Sequence, residues 1–315
     1  MPFVSVIVPN YNHAAFLEQR IRSVLEQTFT DYEVILMDDG SRDGSPDLLR
    51  RYEGHPRVSK VLLNAQNGGS AFRQWNKGVA EAAGRYVWIA ESDDWADPRL
   101  LEVLVAAIRQ SPRIGVAYCQ SWLADEQGRV TGDAEGWYAR IDPTHWQADF
   151  ISSGPEEIRR YLVRKNALLN ASGVLFEKRI FLEAGGAPAD MYYCGDWITW
   201  VRMLLRCDVA FVRQKLNYFR QHAATTRNLD SVPKQMARLA EEYRVVSLVR
   251  QCLGGEGPEI ERRYDQLLKH WVAWSKFYQY PPAYFFRMLR LAGRHDKRLT
   301  ARIVKYLFHK SGLLR

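Results

Sequence analysis

Residues 85–94 read Arg-Tyr-Val-Trp-Ile-Ala-Glu-Ser-Asp-Asp, an apolar run of strand length that ends in a group of acidic side chains. Carboxylates that follow a buried strand lose hydration, so a cation, a ligand or hydrogen bonds must compensate. A divalent metal bridging a diphosphate meets this need, because Mg²⁺ and Mn²⁺ prefer oxygen ligands. A second interpretation is that Asp94 caps the helix that follows.

The chain on either side of this stretch alternates between strand-like and helical patterns. Apolar runs of strand length occur at 3–9, 33–37, 58–63, 85–90 and 114–119. Helical patterns occur at 14–27, 71–83 and about 98–110, and Ser45-Pro46-Asp47 is a typical helix start. Strands and helices in strict alternation, with almost continuously apolar strands, predict an α/β fold. We therefore expect a mostly parallel sheet with helices on both faces.

In such a sheet, ligands bind outside the carboxyl ends of the strands. The residues after the first, second and fourth runs, 9–11, 38–41 and 91–94, should therefore meet at one crevice. The Asp39 carboxylate could accept the imide N–H of uracil or thymine there. The alternative is that 38–41 forms only a tight turn.

The second half is less regular, and from about Ser231 onward the pattern is helical. We place a boundary near residue 230, which gives a first domain at 1–230 and a basic, aromatic-rich helical extension at 231–315. Of the 44 Lys and Arg residues, 11 lie from Lys269 to the end beside one acid, Asp296. The preceding residues carry 33 basic and 35 acidic groups, so the net charge of +8 belongs to the tail.

The tail has two competing interpretations. A basic helix with aromatic residues can lie on an anionic membrane surface. Alternatively, the apolar stripe packs on the first domain and the basic face is solvated. Nucleic-acid binding ranks behind both because no recognised module is present. The aromatic side chains are Trp271, Trp274, Phe277, Tyr278, Tyr280, Tyr284, Phe285 and Phe286.

Composition sets further limits on the class of protein. With 47% apolar and 25% charged residues, the chain has the composition of a folded globular protein. The amino end shows no signal-peptide pattern, and no apolar run approaches the ~18 residues of a membrane span. The four cysteines, Cys119, Cys194, Cys207 and Cys252, form no CxxC pair, so we expect a soluble protein of the reducing cytosol.

The order of four sequence blocks resembles that of family 2 glycosyltransferases, which have the GT-A nucleotide-sugar-binding fold. The blocks are residues 4–12, 23–28, 33–41 and 83–94. The resemblance implies an inverting, Mn²⁺- or Mg²⁺-dependent transferase acting on a UDP-sugar, with a dTDP-sugar as a close alternative. It implies a glycan or lipid-linked acceptor in surface polysaccharide or glycoconjugate synthesis, and a cytoplasmic location at the inner membrane face.

The same resemblance implies roles for individual residues of the first hundred. Pro9 and Tyr11 would line the base pocket, and Asp39 would bind the pyrimidine edge. Asp93 would contact ribose or phosphate, while Asp94 would ligate the metal.

Three further residues come from parts of the chain where the resemblance is weaker. His222 would approach the metal or diphosphate, although a lone histidine is often a surface or core residue. Arg73 would offset diphosphate charge or be merely solvated. Asp196, in Cys194-Gly195-Asp196-Trp197, would be the general base. Trp197 and Trp200 fit sugar stacking or, by default, core packing.

Two other classes of function stay open at this stage. A metal-dependent nucleotidyltransferase shares strand-end carboxylates, but it normally has a glycine-rich basic loop after its first strand, where this chain has Pro9-Asn10-Tyr11-Asn12. A nucleotide-sugar-binding subunit without catalysis is the non-enzymatic alternative. The acidic residues Asp94 and Asp196 argue against it.

Overall fold

The computed structural model describes residues 1–222, 229–255, 257–277 and 281–310, and within these ranges ten strands form one sheet. The strand order is β3-β2-β1-β4-β9-β6-β10-β5, with β7 added beside β6 and β8 beside β10. The tail aromatics Tyr278 and Tyr280 lie outside the described residues.

The first half of the sheet is parallel, as the alternating pattern predicts. Strands β1 to β4 span Val4–Asn10, Tyr32–Asp38, Val58–Leu63 and Tyr86–Ile89. The helices between them, α1 to α3, span Ala14–Leu25, Ser45–Arg50 and Ala71–Glu81. Asn10 is in register with Asp38 and Ile7 with Ile89, so the carboxyl ends of β1, β2 and β4 reach the same edge.

All seven residues of β1 are buried because helices cover both faces of the sheet. Val6 lies in one hydrophobic cluster with Leu17 and Ile21 of α1, whereas its neighbour Ile7 lies in the other with Trp75 of α3. This is the alternation expected of a strand buried on both sides.

The second half of the sheet is mixed. Strand β10 (Asp208–Arg220) is parallel to β6 (Ile114–Ala124), but β9 (Val174–Glu177) lies antiparallel between β4 and β6. The expectation of a mostly parallel sheet therefore holds only for the first half. The short strands β5, β7 and β8 span Trp95–Ala96, Val130–Asp133 and Phe150–Ser152, each antiparallel to its neighbour.

Helices cover this half as well, and four more close the chain. Helices α4 to α8 span Leu100–Ile108, Glu135–Ala139, Gly154–Glu157, Lys178–Glu183 and Gly195–Leu204, with a π-helical turn at Ile158–Leu162. Helices α9 to α12 span Val232–Cys252, Pro258–Phe277, Pro282–His295 and Leu299–Lys310. Among the described helices, none combines the length and apolar character needed to cross a membrane.

The carboxyl-terminal helices pack onto the sheet domain. Helix α9 contacts α8, and α10 and α11 pack on α9. The buried side chains of Tyr243 and Trp271 belong to the same hydrophobic cluster as Trp200 of α8. Trp271, which belongs to the tail, is therefore a core residue, in line with the interpretation that the apolar stripe of the tail packs on the rest of the chain.

Candidate active site

The carboxyl ends of β1 and β2 are joined by Asp38. Its carboxylate accepts hydrogen bonds from Asn10 Nδ2 (2.8 Å), from the Ser41 backbone N–H (2.8 Å) and from Ser41 Oγ (2.6 Å). Asn10 is the last residue of β1, and Ser41 belongs to the turn that follows β2. Asp38 thus stabilises this turn and leaves its neighbour Asp39 to face the crevice.

Asp39 is 4% exposed and its carboxylate is held in one orientation. Oδ1 accepts from Gln74 Nε2 at 2.6 Å, Asn64 Nδ2 at 2.7 Å and the Gly68 N–H at 3.0 Å. Oδ2 takes part in none of these bonds. One carboxylate oxygen is therefore fixed by the protein, and the other remains for a donor from a ligand.

Close approach of the chain at Gly40 makes this arrangement possible. Gly40 has φ +72°, and a Cβ there would lie 2.7 Å from the Asn67 backbone nitrogen. Any other residue would push away the 66–68 segment that supplies the Gly68 N–H. The turn of 38–41 is thus part of the pocket as well as a tight turn.

The other residues predicted for the nucleotide lie at the end of β1, just after it and at the start of α3. Pro9 is buried at the end of β1, and Tyr11, two residues further, is 44% exposed. Arg73 is exposed in the first turn of α3, next to Gln74, which holds Asp39. The structure thus puts Pro9, Tyr11 and Arg73 on the elements that border Asp39.

Three side chains from separate parts of the chain form a candidate metal centre. His13 precedes α1, Asp93 follows β4 and His222 follows β10, and ligand atoms of all three lie within 4.8 Å of one another. His222 Nε2 is 3.0 Å from Asp93 Oδ2, and His13 Nδ1 is 2.9 Å from Ser92 Oγ. Two imidazoles and a carboxylate suit Mn²⁺ better than Mg²⁺, which prefers oxygen alone.

The electrostatics of this centre follow from its partial burial. Burial lowers the pKa of His13, whereas the hydrogen bond with Asp93 raises the pKa of His222. Burial alone would raise the pKa of Asp93, but the bond from His222 and the charge of His13 lower it overall. Asp93 is therefore an ionised carboxylate beside two imidazoles.

Asp94 has a different place from the one that the resemblance implies. It is 1% exposed, and its carboxylate accepts from Ser172 Oγ (2.7 Å), Asn170 Nδ2 (2.8 Å) and the Arg220 N–H (2.9 Å). Burial, and then the charge of Asp93, raises its pKa to about 6. Consecutive side chains thus diverge after the strand, and Asp93 is the one that lies beside the two histidines, while the assignment of Asp94 as metal ligand stays a prediction.

Two arginines hold the segment 91–94 in place. Arg220 Nε donates to the Asp93 carbonyl (2.7 Å), and buried Arg20 Nε donates to the Glu91 carbonyl (2.8 Å). Burial lowers the pKa of Arg20 to about 10.

The Glu91 side chain accepts from Trp75 Nε1 at 2.7 Å. Burial, followed by the charge of Asp93, raises the pKa of Glu91 to about 8. The Trp75 bond ties the Glu91 carboxyl group to α3, the helix that also holds Asp39 through Gln74.

Sequence reasoning missed His13 and Arg220. His13 lies at the end of the turn that follows β1, where ligands were expected to converge, and this position was the available signal. Arg220 lies two residues before His222, within a block that the resemblance already covered.

Asp196 lies in the first turn of α8. Its Oδ2 accepts from Asn166 Nδ2 (2.9 Å) and its Oδ1 from the Trp197 N–H (2.7 Å). A Cβ on Gly195 would lie 2.3 Å from the ring of Phe72, so α8 begins directly against α3. Helix α3 therefore links the surroundings of Asp196 to those of Asp39 and Glu91.

Glu241 of α9 fixes the segment before Asp196. Its carboxylate accepts from three consecutive backbone N–H groups, those of Tyr192 (2.8 Å), Tyr193 (2.7 Å) and Cys194 (2.7 Å). These groups precede α8 and would otherwise lack helical partners. The carboxyl-terminal helices thus support the segment that carries the predicted base.

Trp197 and Trp200 are core residues. They are 2% and 0% exposed, and Trp197 Nε1 donates to the Leu162 carbonyl at 2.8 Å. Their default interpretation, core packing, agrees with the structure.

The chain is similar in sequence to known glycosyltransferases. Residues 5–159 match the family model described as Glycosyl transferase family 2. The chain is 28% identical over 230 residues to the uncharacterized protein MT1568 of Mycobacterium tuberculosis, covering 71% of this chain and 69% of the relative. It is 38% identical over 111 residues to the putative teichuronic acid biosynthesis glycosyltransferase TuaG of Bacillus subtilis, covering 35% of this chain and 44% of TuaG.

Solved structures share the fold. Residues 1–349 of S. aureus TarS in complex with UDP-GlcNAc superimpose with a TM-score of 0.62 at 16% identity, covering 87% of this chain and 73% of TarS 1–349. The mannosyltransferase PcManGT of Pyrobaculum calidifontis, in complex with GDP-Man and Mn²⁺, superimposes with a TM-score of 0.56 at 17% identity. The match covers 98% of this chain and 88% of PcManGT. Residues 5–159 are thus similar to glycosyl transferase family 2, and the sheet with its flanking helices has the fold of these solved glycosyltransferases.

Proposed function

We propose that the protein transfers a sugar, with inversion, from a nucleoside-diphosphate sugar to a hydroxyl of a glycan or lipid-linked acceptor. The observation that carries the proposal is the meeting of Asp39 and the His13, Asp93 and His222 group at the carboxyl ends of β1, β2, β4 and β10. Because the relatives include a teichuronic acid glycosyltransferase, we place the reaction in surface polysaccharide or glycoconjugate synthesis.

The geometry of Asp39 favours a pyrimidine donor. Three protein donors occupy Oδ1, so Oδ2 is available for the imide N–H of uracil or thymine. The exposed ring of Tyr11 can stack on the base. We therefore propose a UDP-sugar, with a dTDP-sugar as the alternative, and the UDP-GlcNAc complex of TarS supports this assignment.

His13, Asp93 and His222 would hold a divalent ion, and their mixed nitrogen and oxygen donors favour Mn²⁺. When bound, the ion supplies positive charge against the diphosphate leaving group. Arg73, exposed at the start of α3, adds a further positive charge at the same edge.

Asp196 would act as the general base. Its carboxylate is oriented by Asn166 and by the Trp197 N–H, and it would accept the proton of the acceptor hydroxyl as that oxygen attacks the anomeric carbon. A single displacement of this kind inverts the configuration at that carbon, and no covalent intermediate is required.

We also propose that the protein works at the cytoplasmic face of a membrane. Phe285 and Phe286 of α11 are 39% and 68% exposed, although Met288 and Ala292 of the same helix are buried. Arg287 and other basic residues share this part of the chain. An exposed aromatic pair among cations fits the interface of an anionic bilayer.

The experiment that tests the donor assignment is a thermal-shift series with UDP, dTDP and GDP, each with and without Mn²⁺. We expect UDP and dTDP to raise the melting temperature more than GDP does, and Mn²⁺ to increase the effect. Asp39→Asn should abolish the preference for pyrimidines and leave the Mn²⁺ effect intact. Stabilisation by GDP alone would overturn the assignment.

Two product assays separate the alternative functions. Slow Mn²⁺-dependent hydrolysis of the UDP-sugar supports a transferase, whereas tight UDP binding without hydrolysis or transfer would indicate a binding subunit. Formation of UTP from the UDP-sugar and pyrophosphate would indicate a nucleotidyltransferase.

A further inference from the structure

A group of four cations lies beside Asp196, outside the donor site. It consists of Arg140 after α5, Lys165 before Asn166, Arg238 of α9 and Arg263 of α10, and we call it the cationic cluster. The four residues come from separate parts of the chain, so only the fold brings their charges together.

The cluster has fewer negative partners than its charge requires. Arg238 Nε (2.9 Å) and Arg263 Nη2 (2.6 Å) share one carboxylate, that of Glu242. Lys165 places Nζ 3.2 Å from the centre of the Trp137 ring, and among the described residues it forms no ion pair. A partly buried ammonium group on a ring face retains a strong attraction for an anion.

The charges of the cluster act on one another through the pKa values of its members. Burial, and then the charges of Arg140, Arg263 and Arg238, lowers the pKa of Lys165 to about 8. Burial alone would lower the pKa of Arg238, but Cys194, Glu242 and Asp196 raise this pKa overall. The geometry places the cluster close to Asp196, because the Arg263 guanidinium lies 5.8 Å from the centre of the Trp197 ring, next to Asp196 in sequence.

Two buried polar atoms near this site lack a hydrogen-bond partner among the described residues: Nε of Arg263, whose side chain is 8% exposed, and Oδ1 of Asn166. Buried polar atoms are normally satisfied, so each points to an absent ligand or water. An anion would satisfy the first and a hydroxyl the second.

The cluster is tied directly to the base. Asn166 Nδ2 donates to Asp196 Oδ2 at 2.9 Å, and Trp137 Nε1 donates to the Asn166 carbonyl at 3.1 Å. Lys165 lies against the same Trp137. Lys165 and Arg238 are both partly exposed, so a ligand can reach them from solvent.

We propose that the cationic cluster binds an anionic group of the acceptor, a carboxylate or a phosphate, next to the hydroxyl that Asp196 deprotonates. This inference rests on the proposed glycosyl transfer and names its acceptor class: an acidic glycan or a polyol phosphate. Arginine forks and a lysine are the side chains that bind such groups with charge-assisted hydrogen bonds.

The test uses the full chain saturated with UDP and Mn²⁺, so that the donor site is filled. Binding of methyl β-glucuronide and of ribitol 5-phosphate is compared with that of neutral methyl β-glucoside by ligand-observed NMR. We expect at least one anionic probe to bind about 10-fold more tightly than the glucoside. The probe that does so identifies the acceptor group as carboxylate or phosphate.

Lys165→Gln should lower the affinity for the anionic probe about 10-fold, while Lys165→Arg should retain most of that affinity. Lys305→Gln, a change at an exposed lysine of α12, is the matched control and should alter nothing. Equal affinity for charged and neutral probes, or no effect of Lys165→Gln, would overturn the proposal. Failure of UDP to bind the wild type would instead overturn the donor assignment, so the two failures are distinguishable.

Discussion

The two sides of the proposed reaction are built in different ways. On the donor side, Asp39 directly follows β2 and Asp93 lies in the short segment after β4, so both belong to the same edge of the parallel half of the sheet. On the acceptor side, Asn166, Asp196 and Glu241 come from a loop and two helices and meet through side-chain contacts. A sheet edge can be predicted from strand pattern, whereas a meeting of loops and helices depends on tertiary packing.

The change with the largest expected effect is Asp196→Asn on the acceptor side. It should lower kcat by about 10²–10⁴-fold, because the amide cannot accept the hydroxyl proton. The UDP affinity, which depends on the donor side, should stay unchanged in a calorimetric titration. Asp190→Asn is the control, since Asp190 is a 69% exposed carboxylate close in sequence that pairs with Arg244. Turnover within threefold of wild type would remove Asp196 as the base.

Within the donor side, substitutions of the adjacent residues Asp93 and Asp94 should have different effects, the first on metal binding and the second on stability. Asp93→Asn should lower transfer by about 10²–10³-fold and abolish Mn²⁺ binding, with stability unchanged. Asp94→Asn should instead lower the free energy of unfolding by about 2–3 kcal/mol, because an amide NH₂ then faces buried donors. Mn²⁺ titration and chemical denaturation measure the two effects, and the reverse pattern would restore Asp94 as the ligand.

Glu241→Gln tests whether the carboxyl-terminal helices position the base. The amide can accept with one oxygen only, so at least one of the three N–H bonds is lost. We expect kcat to fall about 10-fold with an unchanged KM for the donor, together with a stability loss of about 1–3 kcal/mol. Glu183→Gln, at a 51% exposed glutamate of α7, is the control. A donor KM that rises as kcat falls would show a general structural defect instead.

The smallest effect is expected at the α11 surface, outside both sides of the reaction. Phe286→Ser should reduce sedimentation with anionic vesicles about 10-fold, because burying one Phe contributes roughly 1.5–3 kcal/mol. Leu182→Ser, at a 52% exposed leucine of α7, is the matched control. Identical sedimentation of wild type and Phe286→Ser would exclude this surface as the membrane contact.

The sequence predicts much of the donor side. The strand ends, the turn at 38–41 and the convergence of Asp39 with Asp93 follow from strand pattern and from the rule for parallel sheets. Which of two adjacent aspartates faces the crevice does not follow, since side-chain direction after a strand depends on donors such as Ser172 and Arg220. His13 was missed for the same reason.

The acceptor side is less predictable. The family resemblance predicts Asp196, but the residues that hold its surroundings come from distant segments with no pattern that links them. Asn166, which donates to Asp196, lies 30 residues from it, and Glu241, which accepts from the Cys194 N–H, lies 47 residues from Cys194. The antiparallel insertion of β9 was also unpredicted, because a strand of four residues carries little periodicity.

Arg220 has a consequence for the proposed metal centre. Its backbone N–H binds Asp94 and its guanidinium binds the Asp93 carbonyl, while His222 follows two residues later. Two of the three proposed ligands are thereby kept in register by protein contacts alone, so the centre is preorganised. A chelator should strip the ion without unfolding the chain, and added Mn²⁺ should reload the enzyme at once, with no slow refolding phase.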